Sequence, residues 1–411
     1  MSAPTKESSI TGAGYLWYCG SQAASIVGTM MYFTALYWLT LHVAHGRPFG
    51  LTSVVVAQFV PVLIFSRRAG LIVSRYRAVH VVLLTQAVQA LGSLALALPL
   101  LGGWMAIWYL WVITFAIGFA QIVDVSARQV FMRDLVGDEE LRRGSSLYGA
   151  ATGLAKIAGP GLAGLVIAIS GEAAVFIVDA ASYLLVIAVL AWVARNPAHR
   201  ARSAQPSGGQ ARRFRWVLDL PQAIKMAALM ALLIGGFGIQ FEVTNPLMAT
   251  KVFHLNSVGF GLLGTFMAIG GIAANFYSAR QKDPSTREFV AWAVAFGICE
   301  TLASVMPVAW AYDMLMVVIG ATIQLFTVSA TIFVQKTAPD AQRGQALSAY
   351  NAAFMGFVPI GSVMVAGLAT LLGSRWALLA PGVLIVAIGL ACLAMADRPQ
   401  GRADLSARSL G

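Results

Sequence analysis

The chain has 411 residues, of which 58% are hydrophobic and only 11% charged, with a formal net charge of +11. Soluble domains carry about 25% charged residues, so this composition excludes a water-soluble globular protein and places the chain in a bilayer. Three widely separated cysteines, Cys19, Cys299 and Cys392, exclude a disulfide framework and have no metal-ligand spacing.

The opening "MSAPTKESSI" has neither a basic leader nor a small-residue cleavage site and reads as no signal peptide. A membrane span needs about 20 mostly apolar residues. Twelve such stretches follow, at 17–43, 50–73, 79–100, 105–127, 146–169, 173–194, 225–252, 257–278, 289–307, 313–335, 346–371 and 376–396. Basic residues set their direction, because Lys and Arg accumulate on the cytoplasmic side. The odd-numbered connections hold almost none, only Arg47, Lys251 and Arg375, whereas the even-numbered ones and the C-terminal tail hold runs such as Arg75 and Arg77, Arg142 and Arg143, and Arg212 to Arg215. Both termini are therefore expected in the cytoplasm. The positive charge is a topology signal and not a nucleic-acid footprint.

Along the chain, the charged residues inside apolar runs are the informative ones. Span two ends "FSRRAGL", with Arg67 and Arg68 one to two turns inside the cytoplasmic end, within snorkelling reach of lipid phosphates. Arg67 shares a helical face with Gly70 and Ser74. Two readings stay open, a contact with phosphates or guidance of an anionic cargo through guanidinium–carboxylate pairing. Span five holds "ATGLAKIAGPGLAG", with Lys156 about 15 Å from the cytoplasmic end. An ionised group at that depth is costly and normally faces water or a counter-ion. Lys156 is expected to be a cavity cation, with a fixed structural ion pair as the alternative. Gly159, Pro160 and Gly161 follow it, and a proline flanked by glycines allows bending and close approach.

The connection 195–223 is basic and rich in Pro, Gly and Ser, and divides the chain into six spans plus six. Its basic groups can touch anionic lipid, and residues 214–220 are expected to lie along the interface as a short helix. The expected domains are 1–194, the linker 195–223, 224–397 and a tail at 398–411. In span seven, "GIQFEVTNP" places Glu242 among Gln240, Asn245 and Pro246. A carboxyl in low dielectric can bind and release protons near neutral pH, so Glu242 is the proton-carrier candidate, against a structural hydrogen-bonded glutamate. Asp179 in span six and Glu300 in span nine are expected to be structural, near the interface. The histidines sit in or beside loops, His42 and His45 among them, and no metal, nucleotide or nucleophile-elbow motif is present.

The two halves repeat weakly. "ELRRGSSLYGA" before span five and "DAQRGQALSAY" before span eleven align at a constant offset of 200, which matches Arg143 with Arg343, Gly144 with Gly344, Leu147 with Leu347 and Gly161 with Gly361. Parallel six-span repeats place a substrate path between the halves near the membrane midplane.

The stretch "DVSARQVFMRDLV…GSSLYGAATGLAKIAGPGLAGLVIAISGEAAVFIVDAASYL", with "GTMMYFTALYWLTLHV" and "FEVTNPLMATKVF", resembles exporters of the major facilitator superfamily. It is similar to the branch that contains the enterobactin exporter and multidrug efflux proteins. The resemblance implies an all-α membrane protein of twelve transmembrane helices in two pseudo-symmetric six-helix bundles. It also implies alternating access, with export coupled to proton entry. Gly159, Pro160, Gly161 and Gly164 match the glycine-rich motif of drug antiporters, whereas Ala155 and Ala163 replace two of its glycines. The 70–80 connection matches the superfamily's gate motif at Gly70 and Arg75, but Ser74 stands where an aspartate belongs. The resemblance suggests a remnant gate between Arg75 and Asp124 of span four. Thr114 stands where the antiporters place an arginine.

The expectation is a monomeric, proton-driven secondary exporter of the bacterial inner membrane that is not an enzyme. Its cargo would be a small organic molecule, a siderophore or an amphipathic antibiotic, and its partners only cargo, protons and lipid, with no cofactor and no nucleic acid. An importer of an organic anion, a lipid flippase and a non-transporting receptor remain as alternatives.

Overall fold

A computed structural model describes residues 13–194, 222–280, 284–338 and 342–396. The side chains of 13–16, 66, 67, 70, 129, 132–148, 150, 193, 194 and 396 fall outside that description. The expected interfacial helix at 214–220, most of the linker and the tail at 398–411 also lie outside the described residues.

The described residues are helical throughout, with no strand. In chain order the helices are α1 (Ala13–Val43), α2 (Pro48–Arg75), α3 (Ala78–Gly102), α4 (Ile107–Ser170), α5 (Glu172–Ala194), α6 (Gln222–Leu233), α7 (Phe241–Leu247), α8 (Ser257–Ser278), α9 (Thr286–Val305), α10 (Ala309–Thr337), α11 (Arg343–Gly356), α12 (Val358–Leu371) and α13 (Trp376–Ala396). Among the described residues, twelve segments are long and apolar enough to cross a membrane, as the hydropathy pattern predicts. Helix α4 carries two of them, span four (Ile107–Arg128) and span five (Ala151–Ser170). Helices α6 and α7 together make span seven, and α11 and α12 make span eleven.

Helices dominate because a bilayer offers backbone amides no other partner. The interruptions have local causes. Span seven opens into a π-helical turn at Ile234–Gly238, where three glycines lie within five residues, and into another at Met248–Val252, just after Pro246. Span eleven breaks at Phe357, two residues before Pro359, whose ring nitrogen donates no hydrogen bond.

Two compact units result. Described residues up to 194, joined by 245–268, form the first, and 222–244 with 269–396 form the second. In the first, α1 packs on α4 and α5, α2 on α4, and α3 on α4 and α5. In the second, α9 packs on α13 and α10, and α6 on α11. Residues 245–268 join the first unit through small-residue contacts with span five. A Cβ on Gly164 would meet the backbone of Ser257 and Val258, and one on Gly261 would meet the Pro160 carbonyl. Trp38 of α1 stacks on Phe260 with ring centroids 5.4 Å apart.

Candidate functional site

Span five is built around its backbone contacts. Gly159 sits against Val27 and Met30 of α1, where a Cβ has no room. On its other side the carbonyls meet α8: the Thr265 hydroxyl donates to the Ile157 carbonyl at 2.9 Å and the Ser257 hydroxyl to the Gly164 carbonyl at 3.1 Å. Pro160 removes one helical hydrogen bond, yet α4 runs on through it to Ser170. The discontinuities of the described chain lie in spans seven and eleven, away from Gly159–Gly161.

Lys156 occupies a distinctive angle on this helix. At 100° per residue it lies about 20° from Ala163 and about 180° from Leu165. Ala155, Gly159 and Ala163 are buried against neighbours, whereas Leu154 and Leu165 form the exposed apolar stripe expected to face acyl chains. Lys156 is exposed although it belongs to the packed side. Its ammonium therefore leaves the helix between the α1-packed and α8-packed surfaces, opposite the lipid-facing leucines. It forms no hydrogen bond or ion pair among the described residues.

Asp124 requires a correction. The expected gate pairs it with Arg75, but Arg75 is exposed in the last turn of α2 while Asp124 is 3% exposed. The Asp124 carboxylate accepts from Thr85 at 2.7 Å and Gln86 at 3.0 Å, and pairs with Arg128 at 2.5 Å. Arg128 also donates to Gln22 of α1. Four residues along a helix bring side chains to one face, so Arg128 reaches Asp124 without any movement of span two. Sequence reasoning passed over Arg128, although "DVSAR" carries that spacing. Thr114, where antiporters place an arginine, is fully buried and donates to the Leu110 carbonyl. Arg68 is exposed and lies over the Phe65 ring, 5.6 Å from its centroid. The side chains of Arg67 and Gly70 lie outside the described residues.

In the second unit, Gln240 also departs from expectation. It is 1% exposed rather than lining a cavity. Its amide donates to the Gly236 carbonyl at 2.8 Å, and to those of Gly235 and Val358 at 3.3 Å each. These are carbonyls at the break of span seven and at the start of α12, so Gln240 fastens one interrupted helix to the other. The crossing is tight: a Cβ on Gly361 would collide with the Gly236 carbonyl, and one on Gly235 with the Phe354 carbonyl. Glu242 follows in the first turn of α7, partly exposed, with Oε2 buried and without a hydrogen-bond partner. Asn245, in the first unit, is 6% exposed.

The other carboxyls lie deeper than expected. Asp179 is fully buried and Glu300 is 1% exposed, both enclosed by helices rather than placed at an interface. His42 belongs to the last turn of α1, and its Nδ1 lies 3.5 Å from Glu172. No group of three or more His, Cys, Asp or Glu suited to a metal ion occurs among the described residues.

Comparison with known proteins places this architecture. The chain is similar to the Staphyloferrin A transporter of Staphylococcus aureus (strain NCTC 8325 / PS 47), at 23% identity over 350 residues, 82% of this chain and 85% of that protein. Among solved structures it shares the fold of the nucleoside transporter NupG, with a TM-score of 0.75 at 13% identity, over 94% of this chain and 100% of that one. It shares it also with a POT family transporter in complex with 5-aminolevulinic acid, with a TM-score of 0.74 at 13% identity, over 94% and 96%. Residues 9–410 match the model of the transmembrane secretion effector family. With twelve spans, a transporter fold and a match along nearly its whole length, the chain belongs to that family of the major facilitator superfamily and is a membrane transporter, not an enzyme.

Proposed function

We propose that the protein exports a small anionic chelator of the siderophore class across the bacterial inner membrane, by alternating access and in exchange for protons. The observation that carries this reading is Lys156. An unpaired ammonium group sits in an apolar span, on the side opposite the lipid-facing leucines. An unpaired cation in a membrane span is retained where it meets water or a charged ligand, and a carboxylate-bearing cargo supplies the missing anion. The secretion family and the Staphyloferrin A transporter among its relatives support the direction and the cargo class.

Glu242 is the proton carrier in this reading. Its unpartnered Oε2 gives a proton a place to bind, and the partly exposed side chain gives it a route to water. Gly159, Pro160 and Gly161 keep span five close to α1 and α8, and Arg68 draws anions toward the end of span two. No cofactor is required; the proton gradient supplies the energy. The monomer suffices as the working unit, with both termini in the cytoplasm.

Two experiments test this. Spent medium from a deletion strain and its parent is compared for iron-chelating metabolites, with the parent expected to secrete the cargo and the deletion strain to retain it. In proteoliposomes loaded with that cargo, an imposed pH gradient drives efflux through the native protein. Glu242→Gln keeps cargo exchange and loses gradient-driven efflux. Uptake in place of efflux under the same gradient would make the protein an importer.

A further inference from the structure

Asp179 has no role in the transport reading, yet it is the most completely enclosed carboxyl among the described residues. It stands about 10 Å inside span six, fully buried among α1, α3 and α5. Ser93 of α3 donates to its Oδ2 at 2.5 Å, and its Oδ1 has no hydrogen-bond partner. Both Oδ1 and the Ser182 hydroxyl press on Gly28 of α1: a Cβ there would stand 2.9 Å from the first and 2.5 Å from the second. That leaves no room for a hydrated ion beside the carboxyl.

The surroundings offer no counter-charge. Helices α1, α3 and α5 contain no lysine or arginine, and their histidines, His42 and His80, are exposed near helix ends, with His42 beside Glu172. Tyr32 of α1 and Tyr183 of α5 lie within electrostatic reach of Asp179, and Tyr183 shares a 3.0 Å hydrogen bond with Thr29. On α4 the nearest charges are Asp124 and Arg128, already paired with each other. An ionised carboxylate accepts about four hydrogen bonds, and leaving one buried with a single donor and no cation costs several kcal/mol. A neutral acid avoids that cost.

We propose that Asp179 is a proton-binding site inside the first unit, where the bound proton lets α1, α3 and α5 close around a neutral carboxylic acid. Ionisation there sets an unpaired charge against Gly28 and the phenols of Tyr32 and Tyr183, and loosens the three helices. The site is separate from Glu242 and independent of the direction and cargo of transport. Because the closed packing binds the proton, the stability it provides is present at low pH and is lost as pH rises.

The test uses the full chain in lipid nanodiscs, carrying Glu242→Gln so that the proposed carrier is silent. Infrared difference spectra between neutral and alkaline pH are expected to contain the carbonyl stretch of a protonated carboxylic acid. The additional substitution Asp179→Asn removes that band, and Ser93→Ala moves its frequency by removing the donor. Thermal melting falls with rising pH in the native protein and becomes flatter in Asp179→Asn. A band unchanged by both Asp179→Asn and Ser93→Ala would overturn the proposal. If Asp179→Asn fails to fold, the Ser93→Ala frequency decides alone, an unmoved band counting against the site.

Discussion

Span five carries a proline in mid-helix and remains helical, whereas span seven, with three glycines and a late proline, opens twice. The difference lies in where replacement donors come from. In a bilayer a backbone carbonyl without a partner costs several kcal/mol, so continuity depends on what neighbouring helices can offer. Span five receives two hydroxyls from α8, Thr265 and Ser257, on the carbonyl face beside Pro160. Span seven receives a single amide, that of Gln240, which reaches three carbonyls across two interrupted helices. A proline is thus a weak guide to where a membrane helix comes apart, and a long polar side chain beside a glycine cluster is a better one.

The comparison can be broken at its tightest point first. Gly361→Val drives a side chain into the Gly236 carbonyl and is expected to destabilise the second unit by about 3 kcal/mol or more. Size-exclusion chromatography after detergent extraction reads this as lost monodisperse protein. Gly367→Val, where a Cβ meets nothing within 4 Å, is the control, and equal behaviour of the two variants refutes the tight crossing. Next in size, Lys156→Ala lowers transport of an anionic cargo by about tenfold or more, since a hydrogen bond to a charged group contributes roughly 1.5–3 kcal/mol. Lys156→Arg keeps most of the rate, and Pro160→Ala, in a helix that is already continuous, stays close to native. A Pro160→Ala protein that folds but no longer transports would restore the bend at Pro160 as the moving part.

Gln240→Leu removes the bracket while keeping a similar volume and lowers stability by about 1–3 kcal/mol, read as a shift in Tm; an unchanged Tm means other donors satisfy those carbonyls. The smallest effect is expected from Thr265→Val. One of several inter-helix hydroxyl contacts is lost there, and such bonds in membranes average about 0.6 kcal/mol. A drop in Tm as large as that of Gln240→Leu would contradict the idea that span five shares its support among several donors.

Much of the fold was legible because a bilayer imposes one-dimensional rules: length and hydropathy mark the twelve spans without reference to tertiary contacts. Lys156 was legible for the same reason, as a cation where apolar residues belong. Partnership was harder to read. Gln240 meets Val358 across 118 positions of sequence, which no local pattern encodes, so it looked like a cavity residue. Asp124 was assigned to Arg75 by family analogy, although the four-residue interval to Arg128 was the stronger physical signal. The break in span eleven left a trace in "GFVP", where a proline follows a glycine by three positions.

The Asp124–Arg128 pair has a consequence for biosynthesis. Because both partners lie on one helix, a turn apart, they can neutralise each other while span four is still leaving the ribosome, before any neighbour has docked. Span three, with Thr85 and Gln86, is synthesised earlier and is already available to receive them. A segment with two ionisable groups can in this way enter the translocon as an electrically balanced unit, whereas a pair divided between distant helices would have to cross one charge at a time.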